Sequence, residues 1–488
     1  MIKKFILLLT ISLELTMAQN IELAQSLYNN YELFREKTLL HKRLKHAEIL
    51  PLIEALKKDK NFSVKKAGES AEGREIFLIS IGKGNSKVFL WSQMHGDEAT
   101  ATMALFDIFN FFRTQDEFSN YKKVILENLS IYFMPMVNPD GAEKYQRRTS
   151  FEIDINRDFN RLQTPEALLL RETFEDLKAE FGFNLHDQST RYAVGNTYKS
   201  AAIAFLAPSL DHQKSIDSVR DNSMKLISTL TKMLEQFIPG HIAKYKDDYE
   251  PRAFGDNFQK LGTSTILIES GIWKDDRENQ YIRKLNFITL ITALYSIATK
   301  SYKHQSTKIY EQIPQNEERI FDLLLRNLKY NNGKEIIITD LGINQNEVSF
   351  NKSTEFYISS TVQDIGDLSV FYGFNEFDFS GYELSMGKTY PEEFSSIKEL
   401  ERYDLNKLYR KGYTNVKLKS AKFNLPFTKL PINIKLNNNK TKMHGIKLLG
   451  SKPNFIIQKN GEVHFAVING FLIGVKFPYG KVENALVE

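Results

Sequence analysis

The stretch "KVFLWSQMHGDEATATMALFDIFNFF" (87–112) changes texture twice. "KVFLWSQM" reads as a strand, and "ATATMALFDIFNFF" (99–112) is long and apolar enough for a buried helix. An apolar run without polar alternation, bounded at strand length, fits a strand covered on both faces. Further strands are expected at 75–81, 129–137, 182–188, 201–208 and 264–271, with helices at 164–181 and 278–299. The helix at 164 begins with Thr164 and Pro165, a cap followed by a first-turn proline. Strands alternating with helices predict an α/β sheet covered on both faces. Ligand-binding groups gather at the strand ends of such sheets and in the loops beyond them. His95, His186 in "FNLHDQ" and Glu269 in "STILIESG" each follow or close an apolar strand.

The rest of the chain bounds the problem. The 488 residues are enough for two or three domains. The net charge of +5 is interspersed, which argues against a nucleic-acid partner. "MIKKFILLLTISLELTMAQN" (1–20) has two lysines, an apolar stretch and then Ala18, the pattern of a secretory signal peptide cleaved after Ala18. A periplasmic or secreted bacterial protein without a membrane span is therefore expected. With no cysteine in the chain, disulfides, thiolate metal sites and cysteine nucleophiles are excluded, and any metal must be held by His, Asp or Glu. Residues 20–60 read as helical and polar. "EQIPQNEER" (311–319) reads as a linker to a β-rich region in which His444 and His464 stand alone. The domain expectation is a signal peptide over 1–18, a catalytic domain over 19–303 with its core at about 65–300, and a C-terminal domain over 304–488.

His95 and Glu98 offer two metal ligands from one tight loop. His186, at another strand end, would complete a His₂Glu set with a fourth position left for water, the composition of a hydrolytic zinc site. H-x-x-E by itself is common in solvated loops. What strengthens it is "NPDGAEKYQRRTSFEIDINRDFN" (138–160). Arg157 beside Asn156 supplies a planar fork and an amide for holding a free peptide carboxylate. Arg147 is suited to polarise a carbonyl and stabilise an oxyanion. Glu269 ends an apolar strand, a costly place for a carboxylate unless it meets a metal, a cation or a donor. It suits a general base that takes a proton from zinc-activated water and passes it to the leaving amine.

In chain order, "HGDE", "NPDG", "RRT", "INRDF", "FNLHD" and "LIES" resemble the blocks of the M14 (funnelin) zinc metallocarboxypeptidases across roughly 65–300. The resemblance implies a mixed eight-stranded sheet with helices on both faces and one zinc ion per chain held by His95, Glu98 and His186. It implies Arg147 as the carbonyl-polarising arginine, with Arg148 the alternative if the register slips, Asn156 and Arg157 as the carboxylate clamp, and Glu269 as the base. Tyr249 falls near the substrate-covering tyrosine, with Tyr245 close by, and Asp256 lies where the family reads the substrate side chain. Asp187 is a candidate for supporting the site. The implied activity is hydrolysis of the C-terminal bond of peptides or proteins. Peptidoglycan stem peptides are an alternative substrate, and a non-catalytic binding homologue is a lesser one.

Overall fold

The computed structural model describes residues 18–331, 333–419, 424–436, 448–476 and 480–487. The expected signal peptide falls almost wholly outside them, as does His444. Among the described residues no helix is long and apolar enough to cross a membrane. The chain divides into two compact units at Glu318/Arg319.

The first unit opens with a helix over 18–30 (α1) and α2 (His46–Lys57). The strands β1 (Phe62–Glu69), β2 (Glu75–Ile81) and β3 (Ser86–Ser92) follow. After α3 (Thr100–Arg113) and α4 (Ser119–Asn128) come β4 (Leu129–Met134), α5 (Pro139–Lys144) and α6 (Pro165–Leu177). The order continues with β5 (Phe181–Asp187), β6 (Tyr192–Val194), β7 (Ile203–Leu206), α7 (Ser218–Leu234) and β8 (Ile242–Lys244). The last elements are α8 (Phe254–Lys260), β9 (Ser264–Ser270), α9 (Gln280–Thr299), α10 (Lys308–Gln312) and β10 (Asn316–Glu318). Eight strands form one mixed sheet in the order β1-β2-β4-β3-β5-β9-β7-β8. The central pairs β4/β3, β3/β5 and β5/β9 are parallel, and β9/β7 is antiparallel.

The reason β3 is an unbroken apolar run is visible in its packing. Val88 and Leu90 enter one core with the apolar faces of α3, α7 and α9. Phe89 and Trp91, which point the other way, enter a second core with α6 and α8. Both faces of the sheet are therefore covered, as the mixed α/β reading requires. The α6 start is as the sequence indicated: Thr164 Oγ1 accepts from Ala167 N at 3.2 Å, and Pro165 follows it.

Residues 18–44 are less polar in context than in sequence. Leu23, Leu27 and Phe34 are fully buried in the first core. Arg283 on α9 is fully buried, forms a two-pronged ion pair with Asp107 on α3, and donates to the carbonyls of Glu36 and Leu39. The stretch expected as a linker is also structured within this unit. Asn316–Glu318 forms β10, which pairs antiparallel with β6. Backbone hydrogen bonding to Tyr192–Val194 turned polar residues into a strand, something no apolar pattern announces.

The second unit is β-rich. Its largest sheet has eight strands, with β11 (Ile320–Asn331), β12 (Ile336–Phe350) and β13 (Glu355–Gly366) forming an antiparallel meander on one side. Its ring stacking and buried asparagines, such as Asn469 holding Ile358 O and Ser360 N, serve packing. His464 lies 5.4 Å from the Tyr382 ring and 3.9 Å from Glu462. Among the described residues, the group of three candidate metal ligands is in the first unit.

Candidate functional site

The loop after β3 is built to turn sharply. Gln93 takes a left-handed conformation (φ 52°), and its side-chain amide donates to Gly96 O at 3.0 Å. Glu98 N donates to His95 O at 3.2 Å, closing the turn that brings the two side chains together. Gly96 is needed because the "NPDG" turn crosses here: a Cβ would stand 2.0 Å from the carbonyl carbon of Gly141. Asn138 ties the parts together. Its Oδ1 accepts from Gly141 N at 2.8 Å, and its Nδ2 donates to Met94 O (3.2 Å) and Arg147 O (3.3 Å). One buried amide thus fixes both the histidine loop and the arginine segment.

His186, near the end of β5, and Glu269, near the end of β9, are register partners. Partners across a strand pair point to the same face, so the imidazole and the carboxylate stand side by side. His95 Nδ1 and His186 Nδ1 are 3.2 Å apart, and each is 2.7 Å from one oxygen of Glu98. These ligand atoms lie within 4.8 Å of one another, and all three residues are largely buried.

Asp154 supplies what orients the first histidine. His95 Nε2 lies 3.2 Å from Asp154 Oδ1, and Arg147 NH1 lies 3.0 Å from His95 Nδ1. The Asp154 carboxylate favours an N–H at Nε2, while Nδ1 faces both Glu98 Oε1 at 2.7 Å and the Arg147 guanidinium. Two imidazole nitrogens and the Glu98 carboxylate converge at hydrogen-bond distance, a donor set suited to a cation. The residues fit a zinc ion. Two imidazole nitrogens 3.2 Å apart with a carboxylate beside both are the donor set that would hold zinc in a hydrolytic site. Asp154 also accepts from Asn156 N at 2.9 Å and from Arg147 Nε at 3.0 Å, so it links the histidine, the arginine and the clamp segment.

The electrostatics divide the carboxylates. Burial opposes ionisation of Glu98, but the neighbouring imidazoles His95 and His186 outweigh it and hold its carboxyl well below the usual range. Glu269 is pushed well above that range, by burial first and then by the charges of Glu98 and Asp187. Asp187 is pushed up to about 7 by burial and by Glu98. It accepts from Thr100 Oγ1 at 2.6 Å at the start of α3, and its own N donates to Glu98 Oε2 at 3.2 Å. Its contact with the ligand set therefore runs through the backbone.

A cavity of about 270 Å³ opens over these groups, lined also by Arg147, Asn156 and Arg157. Arg148 instead donates to Glu152 O within its own turn, and Arg147 is the arginine of the pair that lines the cavity. Asn156 Oδ1 accepts from Phe254 N at 3.0 Å, anchoring the clamp segment to α8. Arg157 lies 3.3 Å from Glu250. The two candidate tyrosines are placed differently. Tyr249 is not brought to the cavity; its ring packs edge-on against His212 at 5.1 Å, and its hydroxyl lies 3.4 Å from Lys260 Nζ. Tyr245 lines the cavity, and burial together with the charge of Glu269 raises its pKa. The segment follows β8, whose end is fixed by Tyr245 N donating to Phe205 O at 2.9 Å, so Tyr245 stays on the sheet while Tyr249 lies beyond it. Asp154 and Asn138 were not singled out from sequence; the available signal for Asp154 was an acid at the cap position of a short turn, where it accepts from Asn156 N.

Three comparisons bear on this arrangement. Residues 49–210 match the Peptidase_M14 family, described as zinc carboxypeptidase. Carboxypeptidase SOL1 of Arabidopsis thaliana is 26% identical over 140 residues, covering 24% of this chain and 28% of that protein. The chain spans only about a quarter of the length of the curated relatives it matches. A metallo-carboxypeptidase from Burkholderia cenocepacia superposes with a TM-score of 0.44 at 14% identity, covering 52% of this chain and 69% of that one. Carboxypeptidase A from Helicoverpa armigera gives 0.42 at 13% identity, covering 53% and 73%.

Proposed function

We propose that this chain, whose residues 49–210 carry a zinc carboxypeptidase domain of the Peptidase M14 family, hydrolyses the C-terminal bond of peptides. The observation that carries the reading is the meeting of His95, Glu98 and His186 within 4.8 Å, beside Glu269 and at the floor of a cavity that also holds Asn156 and Arg157. His95, Glu98 and His186 would hold one zinc ion, which supplies a Lewis acid that polarises the scissile carbonyl and the attacking water.

The protein's own groups do the rest. Arg157 and Asn156 bind the terminal carboxylate of the substrate and so fix which bond lies over the floor. Arg147 donates to the carbonyl oxygen as negative charge develops there. Glu269 takes a proton from the attacking water and returns it to the leaving amine. Burial and the charges of Glu98 and Asp187 raise its pKa, which makes the carboxylate a stronger proton acceptor. Tyr245, which lines the cavity, is assigned to shielding this exchange. Catalysis is assigned to the N-terminal domain, 19–303, and residues 304–488 are assigned no chemistry of their own. Residues 1–18 are read as the export signal, giving a periplasmic or secreted enzyme.

The test is an assay on peptides with free or amidated C-termini, run beside purified muropeptides. Loss of single residues from free peptides, stopped by chelation and restored by zinc, is the expected result. Cleavage of muropeptides alone would replace the substrate with a stem peptide, and zinc binding without any release would leave a binding protein.

A further inference from the structure

The segment 314–318, which reads as part of a linker in the sequence, is built into the wall of the cavity. Pro314 O accepts from Lys244 N and Gln315 O accepts from Gly195 N, each at 2.7 Å. Asn316–Glu318 then pairs with Tyr192–Val194, with Glu318 opposite Tyr192. The segment therefore spans the ends of β8 and β6. Tyr192 lines the cavity, and so does Tyr245, the residue after Lys244.

Asn316 reaches furthest in. It is 1% exposed, and its Nδ2 donates to Gln188 Oε1 at 2.8 Å, across 128 residues of chain. Gln188 follows His186 by two residues and lines the cavity. Its backbone N donates to Ser270 O at 2.8 Å, next to Glu269, and its Nε2 donates to Ala201 O at 2.9 Å. A primary amide has two N–H donors and an oxygen with two lone pairs. Asn316 occupies one lone pair and Ala201 one N–H. These opposite demands permit a single orientation of the Gln188 amide, because reversing it would set nitrogen against Nδ2 and oxygen against Ala201 O. One N–H and one lone pair remain, the two groups that a backbone peptide unit matches. The Asn316 side chain gains nothing else from its place: among the described residues, no donor reaches its buried Oδ1. A buried acceptor without a donor opposes folding, so packing does not account for an asparagine here.

We infer that Asn316 is a positioning residue, which fixes the Gln188 amide so that its remaining N–H and lone pair engage a backbone peptide group of the substrate. Asn316 touches no reacting atom and acts through Gln188. The inference rests on the carboxypeptidase reading above, and it extends the catalytic unit past residue 303 to the end of β10. Asn316 acting only to hold β10 on the sheet is the competing account. That account predicts a loss of folded protein and no dependence on Gln188.

The experiment is a double-variant cycle in the full chain, with KM and kcat measured on a tetrapeptide. Gln188→Ala should raise KM about 3–10-fold, the range for one lost hydrogen bond, and change kcat little. Asn316→Ala should raise KM by a similar factor with bound zinc unchanged. Asn316→Asp keeps the shape, removes the donor, and should raise KM likewise. The variant carrying both Gln188→Ala and Asn316→Ala should show the KM of Gln188→Ala alone, because the two residues act as one unit. KM does not depend on the folded fraction, so a weakened β10 cannot imitate this result. Additive increases in KM, or Asn316 variants with an unaltered KM, overturn the inference and leave the carboxypeptidase intact. No release of C-terminal residues by the unaltered chain overturns both.

Discussion

Glu269 is 7% exposed and has the charges of Glu98 and Asp187 nearby, yet it faces the cavity from the strand next to His186. A carboxylate kept in such surroundings is useful only if it exchanges protons. Glu269→Gln preserves shape and removes that capacity. Peptide hydrolysis should fall by about 10²–10⁴-fold while bound zinc, measured by elemental analysis, is unchanged. Intact hydrolysis in this variant would remove Glu269 from the mechanism. Gly96 makes a different single-residue case, because the Gly141 backbone occupies the space of its missing side chain. Gly96→Ala should cost about 1–3 kcal/mol or more, visible as a lowered denaturant midpoint. The histidines and Glu269 were legible in sequence because each follows or closes an apolar strand, and Glu98 because it stands three residues after His95 in the same loop. Asn184 was not: inside "FGFNLHD" it reads as one polar residue in a buried run, and its unpaired oxygen exists only once β9 and α8 are packed against it.

At the scale of elements, the short turn over Ile155–Arg157 does more than connect. Asp154 caps it, accepting from Asn156 N, and with the same carboxylate holds His95 and Arg147. Losing a carboxylate that orients a ligating imidazole typically weakens metal binding about 10–100-fold. Asp154→Asn should do so here, read by competition with a chromogenic chelator. A variant with unaltered affinity would mean that His95 is held by its loop alone. The fit of α9 to α3 and the N-terminal segment depends on Arg283. Replacing it with Met leaves Asp107 buried without a cation, though Tyr31 Oη and Glu36 N still donate to it, and breaking such a buried ion pair costs about 3–5 kcal/mol. The first unfolding transition in urea should move accordingly. The length and apolar content of 99–112 announced a buried helix, and a second helix was expected at 278–299, but the sequence gives no sign that an arginine and an aspartate 176 residues apart join them.

For the whole molecule, the proposed zinc ion would couple function to stability. A ligand that binds only the folded state adds about 2.7 kcal/mol when present at a hundred times its dissociation constant. Chelation should therefore lower the unfolding temperature of the N-terminal unit, and added zinc should restore it. The transition of the C-terminal unit should not move, since among the described residues it contains no comparable ligand group. If both units shift together, the metal is doing something other than filling the site of His95, Glu98 and His186.

The sequence by itself determined the α/β alternation, the two-sided burial of β3 and the residue types at the strand ends. These follow from local rules: apolar runs must be covered on every face they present, and charged groups inside such runs need a partner. It also limited any metal to imidazole and carboxylate ligands, because the chain has no cysteine. Only the tertiary structure decided which tyrosine reaches the cavity, which of two adjacent arginines faces His95, that Asp154 orients the histidine, and that 316–318 pairs as a strand instead of running free. Each of those outcomes depends on contacts between residues far apart in the chain, or on the exit angle of a loop. Residue type and spacing carry neither, since the partner that gives a polar group its role is supplied by folding.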